Sequence, residues 1–278
     1  MRNAILMSAA ILVLAGCGQP GNENTDSAMA PGKKLTTTSR GDHVDTYFGV
    51  KVPDPYRWLE DDLSSDTAVW ITEQNASTRS YIDAISLRDD VKSTVARLLN
   101  FERETAPFME GGKRYFYRNS GLQNQQVLYR IEEDGSETVF LDPNTFSEDG
   151  TVSMSSVSFS EDGSLVAYQL SEGGSDWRTI VIRDVATGDV LGSPLVDVKF
   201  SGINWLGNKG FFYSSYDKPD GSELSAKTDQ HKLYFHALGT PQSSDEVIFG
   251  ATPEQKHRYV GASVGGDDRY LVISAANS

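Results

Sequence analysis

Five residues near the end of the chain, Gly261-Ala262-Ser263-Val264-Gly265, fit the pattern Gly-x-Ser-x-Gly. Many hydrolases carry a catalytic serine in this pattern, on a sharp turn between a strand and a helix. Ser263 is instead followed by Gly265-Gly266-Asp267-Asp268 and by the alternating run 269–274, which predict a turn and a second strand. The sequence therefore predicts that Ser263 is a turn residue between two strands, and no catalytic residue is assigned to this chain.

The four histidines are the other side chains that could perform acid–base or metal chemistry: His43, His231, His236 and His257. All precede Ser263, whereas the acid and the histidine follow the serine in α/β-hydrolases. Other triads use other orders, so order alone leaves a site open. His231 and His236 are five residues apart, which in a strand places them on opposite faces. We expect these histidines to be rim or sheet-face residues, and we predict no metal and no cofactor.

The first seventeen residues are typical of a bacterial lipoprotein signal. Arg2 is followed by an apolar run over 4–14, which is too short to span a bilayer as an ordinary helix. Leu14-Ala15-Gly16-Cys17 resembles a lipobox, so Cys17 is the predicted lipid attachment site and the protein is expected to be exported and held at a membrane, on the periplasmic side. The alternative is a buried or free thiol. The polar residues 18–40 predict a flexible tether.

Charge and composition exclude several classes of function. The chain has 25 basic and 39 acidic residues and a net charge of −14, so it would repel a phosphate backbone, and we predict no nucleic-acid partner. No Gly-rich phosphate loop with a lysine is present. With one cysteine the chain forms no internal disulfide, so its stability must come from a core, for which 278 residues suffice.

Residues 41–104 are expected to form a helical arm. Ser64, Ser65 or Asp66 could cap a first helix, whose apolar residues recur at steps of three and four. A second helix is predicted over Asp89 to Leu99. Such an arm is too small to fold alone, so its apolar stripes require a partner.

The remainder, 105–278, repeats one pattern: an apolar residue, a turn with Gly or Asp-Gly, and an alternating strand. A period of about 50 residues with several strands per unit is typical of propeller blades. Three full units are predicted at 106–145, 152–197 and 200–250, and a fourth begins near 258 and contains two strands. We therefore expect a mainly β fold, an incomplete β-propeller of about three and a half blades out of a typical four to eight. This interpretation makes the sequence a piece of a longer chain.

Longer stretches carry a family resemblance. They include Asp54-Pro55-Tyr56-Arg57-Trp58-Leu59-Glu60-Asp61, GLQNQQVLY at 121–129, GSDW at 174–177 and HKLYFHALGT at 231–240. In this order they resemble the N-terminal region of the prolyl oligopeptidase family, over about 41–278. The resemblance implies a two-domain serine peptidase that cleaves short peptides after proline. In that family the arm packs on an α/β-hydrolase domain, a seven-bladed propeller restricts substrate size, and the triad lies in the C-terminal part. No family catalytic residue therefore falls on this sequence.

Two hypotheses follow. The first is the N-terminal part of a lipid-anchored prolyl oligopeptidase-like serine endopeptidase. Its expected partners are short proline-containing peptides, the C-terminal hydrolase domain of the same protein, and a membrane through Cys17. The chain alone is then predicted to be inactive, because it supplies no activated nucleophile, base and oxyanion hole. The second hypothesis is a non-catalytic propeller-type lipoprotein that binds peptides or proteins, since a fold does not determine a function.

Overall fold

The computed structural model describes residues 37–219 and 228–277. The predicted signal, the lipid attachment at Cys17 and most of the predicted tether lie outside the described residues. Within the described part, no helix combines the length and apolar character needed to cross a membrane.

The arm begins with a β-hairpin that the sequence patterns did not predict. Strands β1 (Val44–Tyr47) and β2 (Val50–Pro53) pair in antiparallel register around Phe48 and Gly49. Both turn residues have positive φ, 52° and 83°, as in the two-residue turns that suit hairpins. A short 3-10 helix follows at Arg57–Glu60.

Two helices complete the arm: α1 (Ser65–Asp83) and α2 (Arg88–Leu99). The predicted cap is confirmed, since the Ser64 hydroxyl accepts a hydrogen bond from the Asp66 N–H at 3.2 Å. Helix α2 begins one residue before the predicted start. Thr67 is the one buried residue that the structure describes in these helices, and Val91, Val95 and Leu98 of α2 are exposed. The apolar stripe of α2 is thus uncovered in the described part of the chain.

Seventeen strands form the hairpin and four further antiparallel sheets in the described residues. The first of these sheets contains β3 (Arg103–Glu104), β4 (Phe108–Glu110), β5 (Lys113–Asn119), β6 (Val127–Ile131) and β7 (Glu137–Leu141). The second contains β8 (Val152–Phe159), β9 (Leu165–Glu172), β10 (Trp177–Asp184) and β11 (Leu195–Lys199). The third contains β12 (Asn204–Leu206), β13 (Gly210–Ser215), β14 (Lys232–Ala237) and β15 (Glu246–Phe249). The fourth contains β16 (Tyr259–Val264) and β17 (Leu271–Ala276). These sheets are not closed into a ring, which confirms the predicted partial propeller of three units and two strands of a fourth.

The core lies between the sheets, because neighbouring sheets pack apolar faces against each other. Tyr115 packs between the first and second sheets, and Ile180 and Phe211 pack between the second and third. Phe212 and Val260 pack between the third and fourth. Phe211 and Phe212 are adjacent in β13 and so point to opposite faces, which joins two cores through one strand. Each such buried side chain contributes about 1.5–3 kcal/mol to stability.

Ser263 lies inside β16, where it pairs with Val272 of β17. The prediction that it is a turn residue was wrong, because the apolar alternation continues through Ala262 and Val264, which pack toward the third sheet. The turn begins at Gly265, whose N–H bonds the Tyr270 carbonyl at 2.8 Å. The predicted order of strand, turn and strand is confirmed, so the serine lacks the strand-to-helix turn of a hydrolase nucleophile.

Candidate functional site

The antiparallel order of each blade sorts its connections between two faces of the protein. The turns after the first and third strands lie at one end of the strands, which we call the hairpin face. The loop after the second strand and the segment that leads to the next sheet lie at the other end, which we call the loop face. Strand β14 runs between the two, with His231 directly before its first residue and His236 near its last.

Phe200 is the most unusual residue of the loop face. It follows β11, has a left-handed φ of 52°, and is 45% exposed. Asp197, three residues earlier, also has a positive φ of 57°, and the pairing of β10 with β11 shifts register nearby. Non-glycine residues rarely adopt this conformation, and it persists where the surrounding structure enforces it, often at functional sites. The backbone here is turned so that an aromatic ring faces outward.

Three side chains support the Phe200 ring. Tyr216 lies edge-on at a centroid distance of 6.3 Å, and Tyr259 lies at 5.8 Å. The Lys199 ammonium sits 5.3 Å from the Phe200 ring centroid and 4.9 Å from that of Trp177. Lys199 is buried, so this cation is held largely away from water by aromatic faces. We call Phe200, Tyr216 and Tyr259 the aromatic shelf.

His231 packs against the aromatic shelf through Tyr216. Its ring is fully buried and stacks on Tyr216 at 4.4 Å. The Val260 N–H donates to Nδ1 at 2.8 Å, so the ring proton is on Nε2, which donates to the Lys199 carbonyl at 2.9 Å. Burial lowers the pKa of His231, and the bond to the Lys199 carbonyl offsets part of this effect. The neutral imidazole thus joins three consecutive sheets.

A separate groove of about 630 Å³ is lined by residues of the second sheet and by Lys218, and it includes Trp177, the ring on which Lys199 sits. Its lining includes Trp177, Arg178, Asp197 and Lys218, and Lys218 forms an ion pair with Asp197 at 3.1 Å. The groove therefore offers charged and hydrogen-bonding groups. Such a surface can bind a peptide, but it presents no nucleophile with a base.

A buried group of three side chains lies toward the hairpin face. Tyr213 Oη donates to Asp245 Oδ2 at 2.8 Å, and His236 Nδ1 lies 2.8 Å from Asp245 Oδ1. Burial raises the pKa of the Tyr213 hydroxyl, and the neighbouring Asp245 carboxylate adds to the rise, so the hydroxyl stays neutral. The Asp245 carboxylate accepts hydrogen bonds from both Tyr213 and His236. This arrangement stabilises the fold and contains no activated nucleophile.

The structure does not bring the sequence-predicted candidates together. Ser263 is exposed in β16. His43 bonds Asp45 at 3.1 Å, and His257 stacks on Phe249 at 6.0 Å. No group of three potential metal ligands occurs in the described ranges. The prediction placed His231 and His236 at rims or sheet faces, and both lie at sheet ends, but their burial and their partners were missed.

Comparisons with known proteins agree with this architecture. Residues 36–278 match the family model described as prolyl oligopeptidase, N-terminal beta-propeller domain. The chain is 54% identical over 246 residues to a prolyl endopeptidase of Elizabethkingia meningoseptica, a match that covers 88% of this chain and 35% of that relative.

Two solved structures of prolyl oligopeptidase B from Galerina marginata also match, each at 30% identity over 88% of this chain and 38% of that chain. The form bound to a 35mer hydrolysis and macrocyclization substrate gives a TM-score of 0.73, and the apo protein gives 0.57. The chain thus spans a little over a third of the length of the relatives it matches. The resemblance drawn from its motifs is confirmed: this chain belongs to the prolyl oligopeptidase family, and its sheets are blades of the family's N-terminal β-propeller.

Proposed function

We propose that the protein is a serine endopeptidase that cleaves short peptides after proline, to which this chain contributes the arm and the first propeller blades. The observation that carries the proposal is the 54% identity to a prolyl endopeptidase along 88% of the chain, together with the propeller fold. The aromatic shelf supports it, because an exposed phenyl ring in a fixed orientation suits stacking against a proline ring or another side chain of a peptide.

The described residues supply binding groups, and we place the chemistry elsewhere in the protein. The nucleophile, base and oxyanion hole would come from an α/β-hydrolase domain facing the loop face. The propeller would act as a wall that admits short peptides and rejects folded proteins. The uncovered stripe of α2, which includes Val91 and Val95, would pack on that domain. In this proposal the isolated chain has no peptidase activity.

The relation between the arm and the blades bears on how substrate enters. This chain resembles the substrate-bound relative more than the apo form, with TM-scores of 0.73 and 0.57 at equal coverage. The difference in TM-score supports a protein in which the arm and the blades change their relative placement during turnover. In this proposal the arrangement of the chain corresponds to the substrate-bound one.

We further propose that the protein is exported and lipidated at Cys17, which the lipobox-like Leu14-Ala15-Gly16-Cys17 supports. Metabolic labelling with an alkyne fatty acid, comparing the natural protein with C17S, tests this. Label on the natural protein and none on C17S is expected. Equal labelling, or none on either, would contradict lipidation.

The proposed activity is tested on the natural protein, captured from its source cells with an antibody against residues 159–188. The captured protein is expected to release the fluorophore from a benzyloxycarbonyl-Gly-Pro-aminomethylcoumarin substrate and to lose this activity with a serine-directed fluorophosphonate. Purified residues 18–278 are expected to leave the substrate intact. Captured protein without activity, or inhibition by chelators in place of the fluorophosphonate, would contradict a serine peptidase and favour a binding propeller.

A further inference from the structure

A cavity of about 580 Å³ opens at the hairpin face, between the second and third sheets. One wall is the segment 191–194 after β10, and the other is the segment 238–242 after β14. Pro194 precedes β11 and Phe200 follows it, so this cavity and the aromatic shelf lie at opposite ends of one strand. The proposed peptidase function makes no use of the cavity.

His236 is the one imidazole that lines this cavity. Its side chain is 5% exposed and that of Asp245 is 2% exposed. Asp245 accepts a hydrogen bond from Tyr213 through Oδ2 and lies 2.8 Å from His236 Nδ1 through Oδ1. The carboxylate therefore places a proton on Nδ1 and orients the ring, as carboxylates do for imidazoles that bind ligands or metals. Nε2 has no hydrogen-bond partner among the residues that the structure describes.

Among the other polar lining residues, Ser193 adds a hydroxyl to the wall, whereas the side chains of Gln242 and Thr240 are already hydrogen-bonded. The Gln242 amide already donates to the Val196 carbonyl at 2.8 Å and accepts from the Val196 N–H at 2.9 Å. The Thr240 hydroxyl donates to the Ala237 carbonyl at 2.7 Å. The apolar part of the lining consists of Ile182, Leu191, Pro194, Leu238 and Pro241. No charged side chain lines the cavity, which argues against an ionic ligand.

We propose that this cavity binds a small, uncharged, mainly aliphatic alcohol, whose hydroxyl bonds His236 Nε2 and whose hydrocarbon part packs on the leucine, isoleucine and proline walls. A hydroxyl fits because it donates to a neutral imidazole and can also accept from a protonated one. The volume lies within the usual range of small-molecule pockets, in which a few polar groups orient an otherwise apolar ligand. Asp245 and Tyr213 are positioning residues for the ring.

The test uses the whole protein, labelled with ¹⁵N at histidine and titrated with cyclohexanol as the probe. Saturable binding in the millimolar range is expected, with a shift of the His236 Nε2 resonance, because that nitrogen receives the hydroxyl proton. Cyclohexyl methyl ether, which has similar bulk but cannot donate, should bind about tenfold more weakly, as the loss of one hydrogen bond to a buried nitrogen implies. These measurements need no variant.

Variants then test whether cyclohexanol binds at His236. H236F should abolish the binding of cyclohexanol, and H43F, which removes a histidine from the arm, should leave it unchanged. D245N keeps the shape of the side chain but cannot hold the His236 ring in one tautomer. It should therefore weaken the binding of cyclohexanol and leave the binding of cyclohexyl methyl ether unchanged. The proposal is overturned if the His236 resonance does not respond to saturating cyclohexanol, if the ether binds as tightly as the alcohol, or if folded H236F retains the binding.

Discussion

The imidazole of His231 donates from Nε2 to the carbonyl of Lys199 at 2.9 Å, across 32 residues of sequence. Through Nδ1 the same ring accepts the Val260 N–H at 2.8 Å. One side chain of the third sheet is thereby bonded to the last residue of β11 in the second sheet and to β16 in the fourth. Propeller blades ordinarily adhere through apolar faces, so this polar link fixes their relative position at the loop face.

Replacing His231 by Phe is expected to destabilise the protein by about 3 kcal/mol. The aromatic ring can still stack on Tyr216, but the Lys199 carbonyl and the Val260 N–H lose their partner, and each buried unsatisfied group costs about 1–3 kcal/mol. Urea unfolding followed by tryptophan fluorescence measures the change. H43F is the matched control, because His43 is 46% exposed and its loss should change stability by no more than about 0.5 kcal/mol. Equal midpoints for the two variants would show that the link does not stabilise the fold.

The same histidine should make stability depend on pH. Its folded pKa is lowered by burial below the ordinary value of 6.5, so between these two values the unfolded chain binds more protons than the folded one. Stability is therefore fully present above pH 6.5 and is lost as the pH falls from 6.5 toward the lowered folded value. Thermal midpoints measured from pH 7.5 to pH 5 should decline in the natural protein.

In H231F this decline should be shallower. Carboxylates with lowered pKa values also make stability depend on pH, but at lower pH. Asp162, with a pKa of about 2, loses its contribution to stability only from the ordinary value of 3.8 downward, which is below the range from pH 7.5 to pH 5. His236 lies beside Asp245 and is retained in both proteins, so the difference between them isolates His231. Parallel curves for the two proteins would refute the assignment.

The blades could be predicted from sequence because their signals are local. Asp162-Gly163 and similar turns precede strands whose residues alternate, and the three predicted units match the observed sheets. The arm hairpin escaped prediction because its turn is Phe48-Gly49 and not the usual Asn-Gly. Ser263 was misplaced because a run of Gly and Asp marks where a turn lies but not the residue at which the strand ends.

The candidate site could not be predicted in the same way. Phe200 combines a left-handed φ with ring contacts to Tyr216 and Tyr259, which lie 16 and 59 residues further along the chain. The partners of His231 are backbone atoms, which carry no residue-type signal. The family resemblance identified the protein class from long motifs, but the geometry of these side chains needed the fold.

Two hairpin turns of neighbouring blades are in such close contact that each requires glycine. A Cβ added to Gly163 would lie 2.2 Å from the Gly111 Cα, and Gly163 has φ +68°. Gly174 has a similar φ of +79°, but nothing lies within 4 Å of its Cβ position. G174A should therefore cost about 1–2 kcal/mol for the left-handed conformation alone.

G163A should cost more than G174A by at least about 2 kcal/mol, because backbone must move away from backbone. The difference in urea midpoints between the two variants measures the inter-blade contact without the conformational contribution. If both variants lose the same stability, the first two blades are further apart at this point than the structure places them.

The strain at Phe200 can be separated from the function of its ring. F200A and F200G both remove the phenyl group, but only glycine adopts a φ of 52° without strain. F200G should therefore be more stable than F200A by about 1 kcal/mol. Both should lower kcat/KM for a proline-containing peptide by a similar factor of about ten, since a well-oriented aromatic contact contributes about 0.5–1.5 kcal/mol beyond area burial.

The partition between kcat and KM distinguishes a substrate contact from a structural role. If the ring only binds peptide, its removal raises KM and leaves kcat nearly unchanged. Y259F serves as the control, because it keeps the edge contact with Phe200 at 5.8 Å and should retain the natural kinetics. A stable F200G protein with natural kcat/KM would show that the exposed ring does not contact substrate. The left-handed backbone would then serve only to turn the chain from β11 toward β12.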